Sequence, residues 1–301
     1  MALSVTRDPE LSKRTTLRLG GVALAEVTVE APAGLDLLPE TLDDLGGKPV
    51  VLGKGSNILA TDGRLGLCLV RVGITDDELR MVEQDRPDAT VVRIHAGTAL
   101  PVLLVRLARS GLTGLEGLAG IPGTVGGAVA MNAGSFGHVM GDCVNRVQVW
   151  TREQGLVWYG RDSLAMGYRH FSVREVEGFY LLAQVELALE KEPRGEDAIR
   201  ARMREAMDKK QALQPVSDWS AGCVFKNPEA REPAGLLLDR HGFRGRQLGG
   251  MVYSPMHANF LVNTGEGTSD QAFELIAMAR DVVRQQEGIN LELEVKVWES
   301  R

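Results

Sequence analysis

The sequence has few of the residues that mark a secreted or a metal-binding protein. Its three cysteines, Cys68, Cys143 and Cys223, are odd in number and far apart, so they predict neither a disulfide framework nor a Cys-x-x-Cys metal site. The five histidines are scattered as well, and we expect no metal site. The first residues carry scattered charges and lack the apolar stretch of a signal peptide. These absences predict a reduced, cytoplasmic protein.

Excess positive charge and long apolar runs are also missing. The net charge is -6 and no run is rich in lysine and arginine, which argues against nucleic-acid binding. No apolar run reaches the roughly 18 residues that a membrane-spanning helix needs, so we expect no membrane insertion. With 44% apolar and 25% charged residues, the composition is typical of a globular protein.

Glycine is what the sequence has in excess, with 35 residues, and it is concentrated between Gly114 and Gly137. Each glycine costs about 0.5–1 kcal/mol relative to alanine in a regular element, so this density disfavours a core helix or strand. Glycine lets the backbone approach a ligand closely and leaves N–H groups free to point at an anion. A glycine-rich surface loop is the alternative interpretation. Because apolar residues such as Leu118 and Val125 lie between the glycines, we expect a loop buried against a phosphate-bearing cofactor.

The hydrophobic pattern predicts a fold with both helices and strands. A capping box at Thr268 and Gln271 and a stop at Gly288 bound the longest helix. The closing segment alternates strictly, which predicts a strand with Glu294 on its polar face. The predicted helices are 99–110, 195–212, 233–240 and 268–287, and the predicted strands are 22–30, 49–52, 66–72, 90–96, 143–150, 156–159, 179–189, 247–254, 258–263 and 290–298.

Four short segments could carry chemistry: the glycine turn at 53–57 and three polar clusters, which are Tyr168-Arg169, Cys223–Asn227 and Glu294. The turn at 53–57 follows an apolar strand and can bind phosphate, although an ordinary β-turn is the alternative because the third glycine of a dinucleotide fingerprint is missing. Arg169, Cys223 and Glu294 each have an ordinary alternative as well: a salt-bridge arginine, a packed cysteine and a solvated carboxylate. The residues alone therefore predict an α+β enzyme with a phosphate-bearing ligand.

Taken in order along the chain, the motifs resemble those of one enzyme family over nearly the whole length. The segments that carry the resemblance are Thr15–Gly21, Val51–Asn57, Gly120–Gly127, Met131–Gly134, Tyr168-Arg169, Ser220–Pro228, His257–Phe260 and Leu291–Val295. The family is UDP-N-acetylenolpyruvoylglucosamine reductase, or UDP-N-acetylmuramate dehydrogenase, of bacterial peptidoglycan synthesis. The chain between Asn227 and His257 has no room for the tyrosine-bearing insertion of the longer subtype, so it resembles the shorter one.

The resemblance implies an α+β fold in which an FAD-binding domain of the vanillyl-alcohol-oxidase type precedes an α+β substrate-binding domain. The first would cover residues 1–194, in two subdomains at about 1–73 and 74–194, and the second residues 195–301. FAD would be bound non-covalently, with the backbone at Gly126 meeting its pyrophosphate, and NADPH would be the reductant. The residues implied to bind FAD are Gly53, Lys54, Gly55, Ser56, Asn57, Gly120, Ile121, Pro122, Gly123, Thr124, Gly126, Gly127, Ala128 and Asn132.

The resemblance also implies the reaction, in which the enolpyruvyl group of UDP-N-acetylglucosamine enolpyruvate receives hydride at C3 and a proton at C2. Arg169 and Glu294 occupy the positions of the family's carboxylate-polarising pair, with Glu294 protonated or hydrogen-bonded near the substrate. Cys223 occupies the position of the usual serine proton donor, and a thiol, with a pKa of about 8.5, can perform the same step. Lys54 and Lys296 also depart from the usual residues, glycine and arginine. The residues implied to contact the substrate are Tyr168, Lys226, Asn227 and His257.

Two other functions compete with this one. A flavin oxidase or dehydrogenase of the same fold would share the glycine motifs but would have no reason to carry Ser220–Pro228 or Glu294. A non-catalytic nucleotide-binding or sensor protein would have lost the polar clusters. Covalent flavin attachment commonly uses a histidine near the first glycine turn, and none occurs between Met1 and Arg93. The expected protein is a yellow monomer whose colour bleaches with NADPH.

Overall fold

The computed structural model describes residues 1–82, 89–229 and 231–299. Short 3-10 turns lie at Leu11–Lys13, Glu116–Leu118 and Arg161–Ser163. The helices are α1 (Gly34–Leu45), α2 (Leu100–Arg109), α3 (Val125–Ala130), α4 (Met140–Cys143), α5 (Glu196–Leu213), α6 (Ala234–Arg240) and α7 (Ser269–Glu287).

The strands are mostly short and fall into several sheets. Those before residue 140 are β1 (Leu3–Arg7), β2 (Val22–Val29), β3 (Lys48–Val51), β4 (Ile58–Ala60), β5 (Arg64–Val72), β6 (Arg80–Val82), β7 (Thr90–His95), β8 (Leu112–Thr113), β9 (Gly134–Ser135) and β10 (His138–Val139). Those after it are β11 (Val144–Thr151), β12 (Gly155–Gly160), β13 (Leu164–Gly167), β14 (His170–Val173), β15 (Leu181–Lys191), β16 (Trp219–Cys223), β17 (Gln247–Leu248), β18 (Met251–Tyr253), β19 (Phe260–Asn263) and β20 (Lys296–Trp298).

Contacts along the chain divide it into two compact units. The first unit consists of Met1–Thr6, Ala25–Gly53 and Cys68–Lys209. The second unit consists of Arg7–Leu24, Lys54–Leu67 and Lys210–Arg301. The sequence predicts domains that are each continuous in the chain, with boundaries at about 73 and at 194. These boundaries stay a prediction.

One core of the first unit lies between α1 and a four-stranded sheet with the order β1-β2-β5-β3. Leu35 and Leu38 of α1 are buried with Val27 and Val70 of the sheet. The sequence analysis missed α1, because Pro39 stands inside it and proline ordinarily interrupts a helix. The spacing of its leucines, at 35, 38, 42 and 45, was the available signal.

The larger core of the first unit lies against a six-stranded sheet, in which β8 pairs with β15 and the other strands have the order β12-β11-β15-β7-β6. The buried face carries aliphatic residues such as Ile94 and Val185. Within β15, the neighbouring Glu186 is fully buried between Arg93 and Arg146, which donate to it at 2.7 and 2.6 Å. Burial acts to raise the pKa of Glu186, but hydrogen bonds from the two arginines outweigh it and hold the pKa below its usual range.

The second unit is built on an antiparallel sheet with the order β16-β19-β18-β17. Helices α6 and α7 contribute buried residues to its core, whose largest side chains are Tyr253, Phe225 and Phe243. Strand β20 pairs in parallel with β4, with Lys296 opposite Ile58. None of the helices in the described part of the chain is long and apolar enough to cross a membrane.

The structure confirms the helices predicted at 99–110, 195–212, 233–240 and 268–287, and most of the predicted strands. Three predictions are wrong. Only Lys296–Trp298 of the closing segment is a strand, so Glu294 lies outside it. The strand predicted at 247–254 is interrupted at Gly249, whose φ of 54° turns the backbone between β17 and β18. The glycine-rich segment is not one loop, because α3 occupies residues 125–130 within it.

The capping box at α7 gives a stability prediction. The Thr268 hydroxyl accepts from the Gln271 amide at 3.3 Å, and the Gln271 side chain accepts from the Thr268 amide at 3.3 Å. Replacing Thr268 with alanine removes the N-cap acceptor, so we expect Thr268→Ala to lower the free energy of unfolding in urea by about 1 kcal/mol. Thr41→Ala is the control. The Thr41 hydroxyl donates to the carbonyl of Leu37 within the same helix, and alanine has the higher helix propensity, so this change should cost less stability. Equal losses in both variants would contradict the role of the cap.

Candidate active site

The residues predicted to form the site are divided between the two units. Those in the first unit are Gly53, Gly120, Ile121, Pro122, Gly123, Thr124, Gly126, Gly127, Ala128, Asn132, Tyr168 and Arg169. Those in the second unit are Lys54, Gly55, Ser56, Asn57, Cys223, Lys226, Asn227, His257 and Glu294.

The glycine-rich loop of the first unit is held to the turn between β7 and α2. The amides of Gly126 and Val125 donate to the carbonyls of Ala96 and Thr98, both at 2.8 Å. In the opposite direction, the amide of Leu100 donates to the carbonyl of Gly123 at 3.0 Å. These three backbone bonds fix where α3 begins.

Gly126 is needed because the loop approaches that turn closely. A Cβ added at Gly126 would lie 2.8 Å from the Cβ of Ala96, closer than side chains pack. A side chain at position 126 would therefore point into the protein. Glycine is needed here for packing against Ala96, whereas the sequence led us to expect contact with a pyrophosphate.

A polar network below this turn was missed by the sequence analysis. Asp76 accepts from the amide of His95 at 2.6 Å and lies 2.7 Å from Nδ1 of the His95 ring. The hydroxyl of Thr98, which is 1% exposed, donates to the same carboxylate at 3.3 Å. Gln184 lies 2.8 Å from the other ring nitrogen of His95. No periodic pattern identifies these residues, because their contacts join positions as far apart as 76 and 184.

The loop also contacts the first glycine turn. A Cβ added at Gly53 would lie 3.0 Å from Oγ1 of Thr124, so Gly53 and the loop approach each other closely within the first unit. Thr124 caps α3 by accepting from the amide of Gly127 at 3.1 Å. Among residues 1–82, 89–229 and 231–299, no acceptor is found for the amides of Gly123 and Thr124. Amides without a protein acceptor, on a backbone with few bulky side chains, can bind a phosphate group.

Tyr168 and Arg169 form the turn of a hairpin between β13 and β14. Arg169 has a φ of 53°, which is uncommon for a residue other than glycine. Its guanidinium lies 5.1 Å from the centre of the Tyr168 ring and donates to the carbonyl of Gly134 at 3.4 Å. Tyr168 itself is 54% exposed. The turn therefore presents an aromatic ring and a positive charge together.

Cys223 and Glu294 are brought together within the second unit. The amide of Glu294 donates to the carbonyl of Val224 at 2.8 Å, so the two segments lie side by side. The side chain of Asn57, from the first glycine turn, donates to the carbonyl of Glu294 at 3.1 Å. Both Cys223 and Glu294 are half-buried. The arrangement places a thiol and a carboxyl on neighbouring stretches of backbone.

A bulge in β16 sets the direction of the chain at Cys223. The pairing register with β19 shifts between Ser220 and Cys223, and Gly222 has a φ of 79°. Such a bulge redirects the side chain that follows it. The carbonyl of Ser220 accepts from the hydroxyl of Thr16 at 2.6 Å, which ties the amino-terminal motif to this strand.

Three of the four residues predicted to contact substrate have clear partners in the second unit, where Lys226, Asn227 and His257 lie. Lys226 pairs with Glu292 at 3.2 Å. The side-chain oxygen of Asn227 accepts from the amide of Ala234 at 3.1 Å, at the start of α6. The His257 ring packs edge-on against Phe260, and burial together with the nearby charge of Arg244 lowers the pKa of His257. His257 is therefore biased toward its neutral form.

The family model described as an FAD binding domain matches residues 40–159, which include both glycine motifs. The model described as the C-terminal domain of UDP-N-acetylenolpyruvoylglucosamine reductase matches residues 214–298, which include Cys223 and Glu294. These matches confirm the predicted α+β fold with an FAD-binding domain, and FAD as the cofactor.

The packing at Gly126 gives a prediction for cofactor binding. A valine there overpacks Ala96 at a typical cost of about 1–3 kcal/mol, which corresponds to about tenfold to hundredfold weaker FAD binding if it displaces the loop. Gly160→Val is the control, because a Cβ at Gly160 would meet nothing within 4 Å. We expect Gly126→Val to be purified with little flavin and Gly160→Val to keep it, measured by absorbance after gel filtration. Full flavin content in Gly126→Val would contradict this account of the loop.

Several relatives match this chain over nearly its whole length. A UDP-N-acetylenolpyruvoylglucosamine reductase from Oleidesulfovibrio alaskensis is 50% identical over 96% of this chain and 96% of its own length. One from Nitratidesulfovibrio vulgaris is 48% identical over 98% of each chain. The crystal structure of the Thermus caldophilus enzyme is 34% identical, with a TM-score of 0.79 over 98% of each chain. The chain is thus an FAD-dependent oxidoreductase that belongs to the UDP-N-acetylenolpyruvoylglucosamine reductase family, as its motifs predicted.

Proposed function

We propose that this protein reduces UDP-N-acetylenolpyruvoylglucosamine to UDP-N-acetylmuramate with NADPH, in peptidoglycan precursor synthesis. The observation that best supports the assignment is the 2.8 Å hydrogen bond from the amide of Glu294 to the carbonyl of Val224. It places the proposed carboxylate-polarising residue beside the segment that carries the proposed proton donor, Cys223. A flavoenzyme with a different substrate would have no need for this pair. The protein would act in the cytoplasm as a monomer.

In this proposal, residues 1–194 bind FAD and residues 195–301 bind the substrate. The glycine motifs at 53–57 and 120–127 hold the cofactor, and the amides of Gly123 and Thr124, which have no acceptor among the described residues, are available to its phosphates. When bound, FAD supplies the hydride chemistry between NADPH and C3 of the enolpyruvyl group. Tyr168, Lys226, Asn227 and His257 contact the substrate.

Arg169 and Glu294 act on the substrate carboxylate. Negative charge builds up on C2 and the carboxylate as hydride reaches C3, so a fixed positive charge and a hydrogen-bond donor aimed at that carboxylate stabilise the developing enolate. The Arg169 guanidinium supplies the charge, and the carboxyl of Glu294 supplies the donor when protonated. The Arg169 guanidinium donates to the carbonyl of Gly134, and the backbone amide of Glu294 donates to the carbonyl of Val224, so each residue is tied to another segment of its own unit.

Cys223 completes the reaction by protonating C2. The bond from hydrogen to Sγ breaks as a bond from hydrogen to C2 forms, and the thiolate then recovers a proton from water. The side chain must be a thiol, not a thiolate, when the intermediate forms. Serine has the same geometry and can also donate a proton, which accounts for either residue at this position.

The direct test follows NADPH consumption by the purified yellow protein with and without UDP-N-acetylenolpyruvoylglucosamine. We expect rapid, stoichiometric consumption only when the substrate is present, with UDP-N-acetylmuramate as the product by mass spectrometry. NADPH consumption that is indifferent to this substrate would point to another flavin enzyme of the same fold. A colourless protein that takes up no FAD would contradict the proposal altogether.

The role of Arg169 and Glu294 predicts a selective defect. Arg169→Met and Glu294→Gln each remove one group that stabilises the enolate, which typically slows a reaction by about 10²–10³-fold. Flavin reduction by NADPH should stay near normal, while reoxidation by substrate slows, as measured in separate stopped-flow half-reactions. Arg152→Met serves as the control, because Arg152 is exposed and pairs only with Asp43 in the described structure. If the NADPH half-reaction slows by the same factor, the residue acts on the flavin or on NADPH and not on the substrate carboxylate.

If Cys223 is the proton donor, substrate turnover should depend on a side chain that can donate a proton and not on how well the side chain packs. Cys223→Ala removes the proton donor and should slow substrate turnover by about 10²–10⁴-fold, the usual span of general acid catalysis. Cys223→Ser should keep substantial activity, and both variants should be reduced normally by NADPH. If Cys223→Ala turns over normally, the thiol only packs and is not the donor.

Thiol labelling provides an independent check on the same residue. Burial raises the pKa of Cys68 and raises the pKa of Cys143 to about 12, so neither forms a thiolate readily. Cys223 is the more accessible thiol. An alkylating reagent should therefore modify Cys223, inactivate the enzyme and be blocked by substrate, whereas Cys223→Ser should resist it. Inactivation of Cys223→Ser at the same rate would contradict this.

A further inference from the structure

Asn132 lies at the end of α3 in a conformation that few residues adopt. Its φ is 40°, and its amide donates to the carbonyl of Val129 at 2.8 Å, which ends the helix. Asparagine tolerates this left-handed conformation better than most residues with a side chain. Only 7% of Asn132 is exposed, so its side-chain amide requires partners within the protein.

Both ends of the Asn132 side chain have such partners. The Nδ2 group donates to the carbonyl of Gly167 at 2.8 Å, and Oδ1 accepts from the amide of Gly141 at 2.8 Å. Because one partner is an acceptor and the other a donor, only this orientation of the amide satisfies both. A Cβ added at Gly141 would lie 2.6 Å from Oδ1, so the approach is close.

Gly167 is the last residue of β13 and pairs with His170 across the hairpin. The turn between them consists of Tyr168 and Arg169. The hydrogen bond from Asn132 therefore fixes one end of the turn that presents the Arg169 guanidinium.

The segment that follows Asn132 also contacts the side chain of Arg169. The guanidinium donates to the carbonyl of Gly134, two residues after Asn132, at 3.4 Å. Hydrogen bonds of this length are weak and do not define an orientation well. The shorter bond from Asn132 to Gly167 is thus the stronger constraint that this segment applies to the hairpin.

We propose that Asn132 is a positioning residue for Arg169, which links the end of the cofactor-binding loop to the group that polarises the substrate carboxylate. The proposal rests on the role of Arg169 given above. It assigns to Asn132 an effect on the substrate half of the reaction, in addition to the cofactor binding that the family motif implies.

The test is a double-mutant cycle measured on the reoxidation of reduced flavin by substrate. Asn132→Gly keeps the left-handed backbone accessible but deletes the amide, and Asn132→Asp keeps Oδ1 but replaces the donor to Gly167 with an oxygen. A displacement of about 1 Å in a catalytic group can cost on the order of 10²-fold, so we expect Asn132→Gly and Asn132→Asp to slow reoxidation by up to that factor. The double variant of Asn132→Gly with Arg169→Met should be no slower than Arg169→Met alone, because Asn132 acts through Arg169.

Two further readouts separate positioning from a general loss of structure. Because Asn132 is also among the residues implied to bind FAD, both half-reactions are measured per bound flavin, and reoxidation by substrate should slow by a larger factor than reduction by NADPH in both Asn132 variants. Val173→Ala is the matched control, because it removes buried packing from β14 of the same hairpin without touching the Asn132 bonds. At a similar loss of thermal stability, Val173→Ala should reoxidise its flavin faster than Asn132→Gly.

Each other outcome overturns the proposal in a distinguishable way. Multiplicative slowing in the double variant would show that Asn132 acts independently of Arg169. Loss of flavin with normal reoxidation of what remains would limit Asn132 to cofactor binding. If the Asn132 variants reoxidise their flavin at the normal rate while Arg169→Met reoxidises slowly, Asn132 has no positioning role, but the proposed role of Arg169 stands. Normal reoxidation in Arg169→Met itself would remove the proposed role of Arg169, and this one with it.

Discussion

Three backbone hydrogen bonds between the glycine-rich loop and the turn after β7 hold the predicted cofactor site in place. They join Gly126 to Ala96, Val125 to Thr98 and Leu100 to Gly123. Each contributes about 0.5–1.5 kcal/mol net, and all three use the main chain, so the loop's position depends on how closely two backbones can approach. That closeness explains why glycine stands at 126. In the described part of the chain the amides of Gly123 and Thr124, just before it, have no acceptor, so they are available to a phosphate.

The rest of the site in the first unit is connected to this contact. Asp76 contacts His95, just before this turn, at 2.6 and 2.7 Å, and accepts from the hydroxyl of Thr98 within the turn at 3.3 Å. On the other side, α3 ends at Asn132, whose side chain reaches the hairpin that carries Arg169. The cofactor loop and the charged group are therefore parts of one hydrogen-bonded structure, and a change at either end is expected to be felt at the other.

Local patterns in the sequence predicted the elements whose determinants are local. The capping box and glycine stop of α7 lie within the helix and its ends, and the motifs around Gly126 and Cys223 identified the family. The closing strand was wrong because alternation does not reveal the partner of a segment. There the amides of Glu294 and Val295 are directed to the carbonyl of Val224, about seventy positions earlier, and a strand begins only at Lys296. The network of Asp76 was missed for the same reason, since its partners are distant in sequence.

In the proposed reaction, this chain passes reducing equivalents from NADPH to an enolpyruvyl group by way of bound flavin. The most direct measurement mixes anaerobically reduced enzyme with UDP-N-acetylenolpyruvoylglucosamine and follows the flavin absorbance. We expect full return of the oxidised spectrum in a single turnover, with one equivalent of UDP-N-acetylmuramate formed. A flavin that stays reduced in the presence of this substrate, yet is reoxidised by another acceptor, would contradict it.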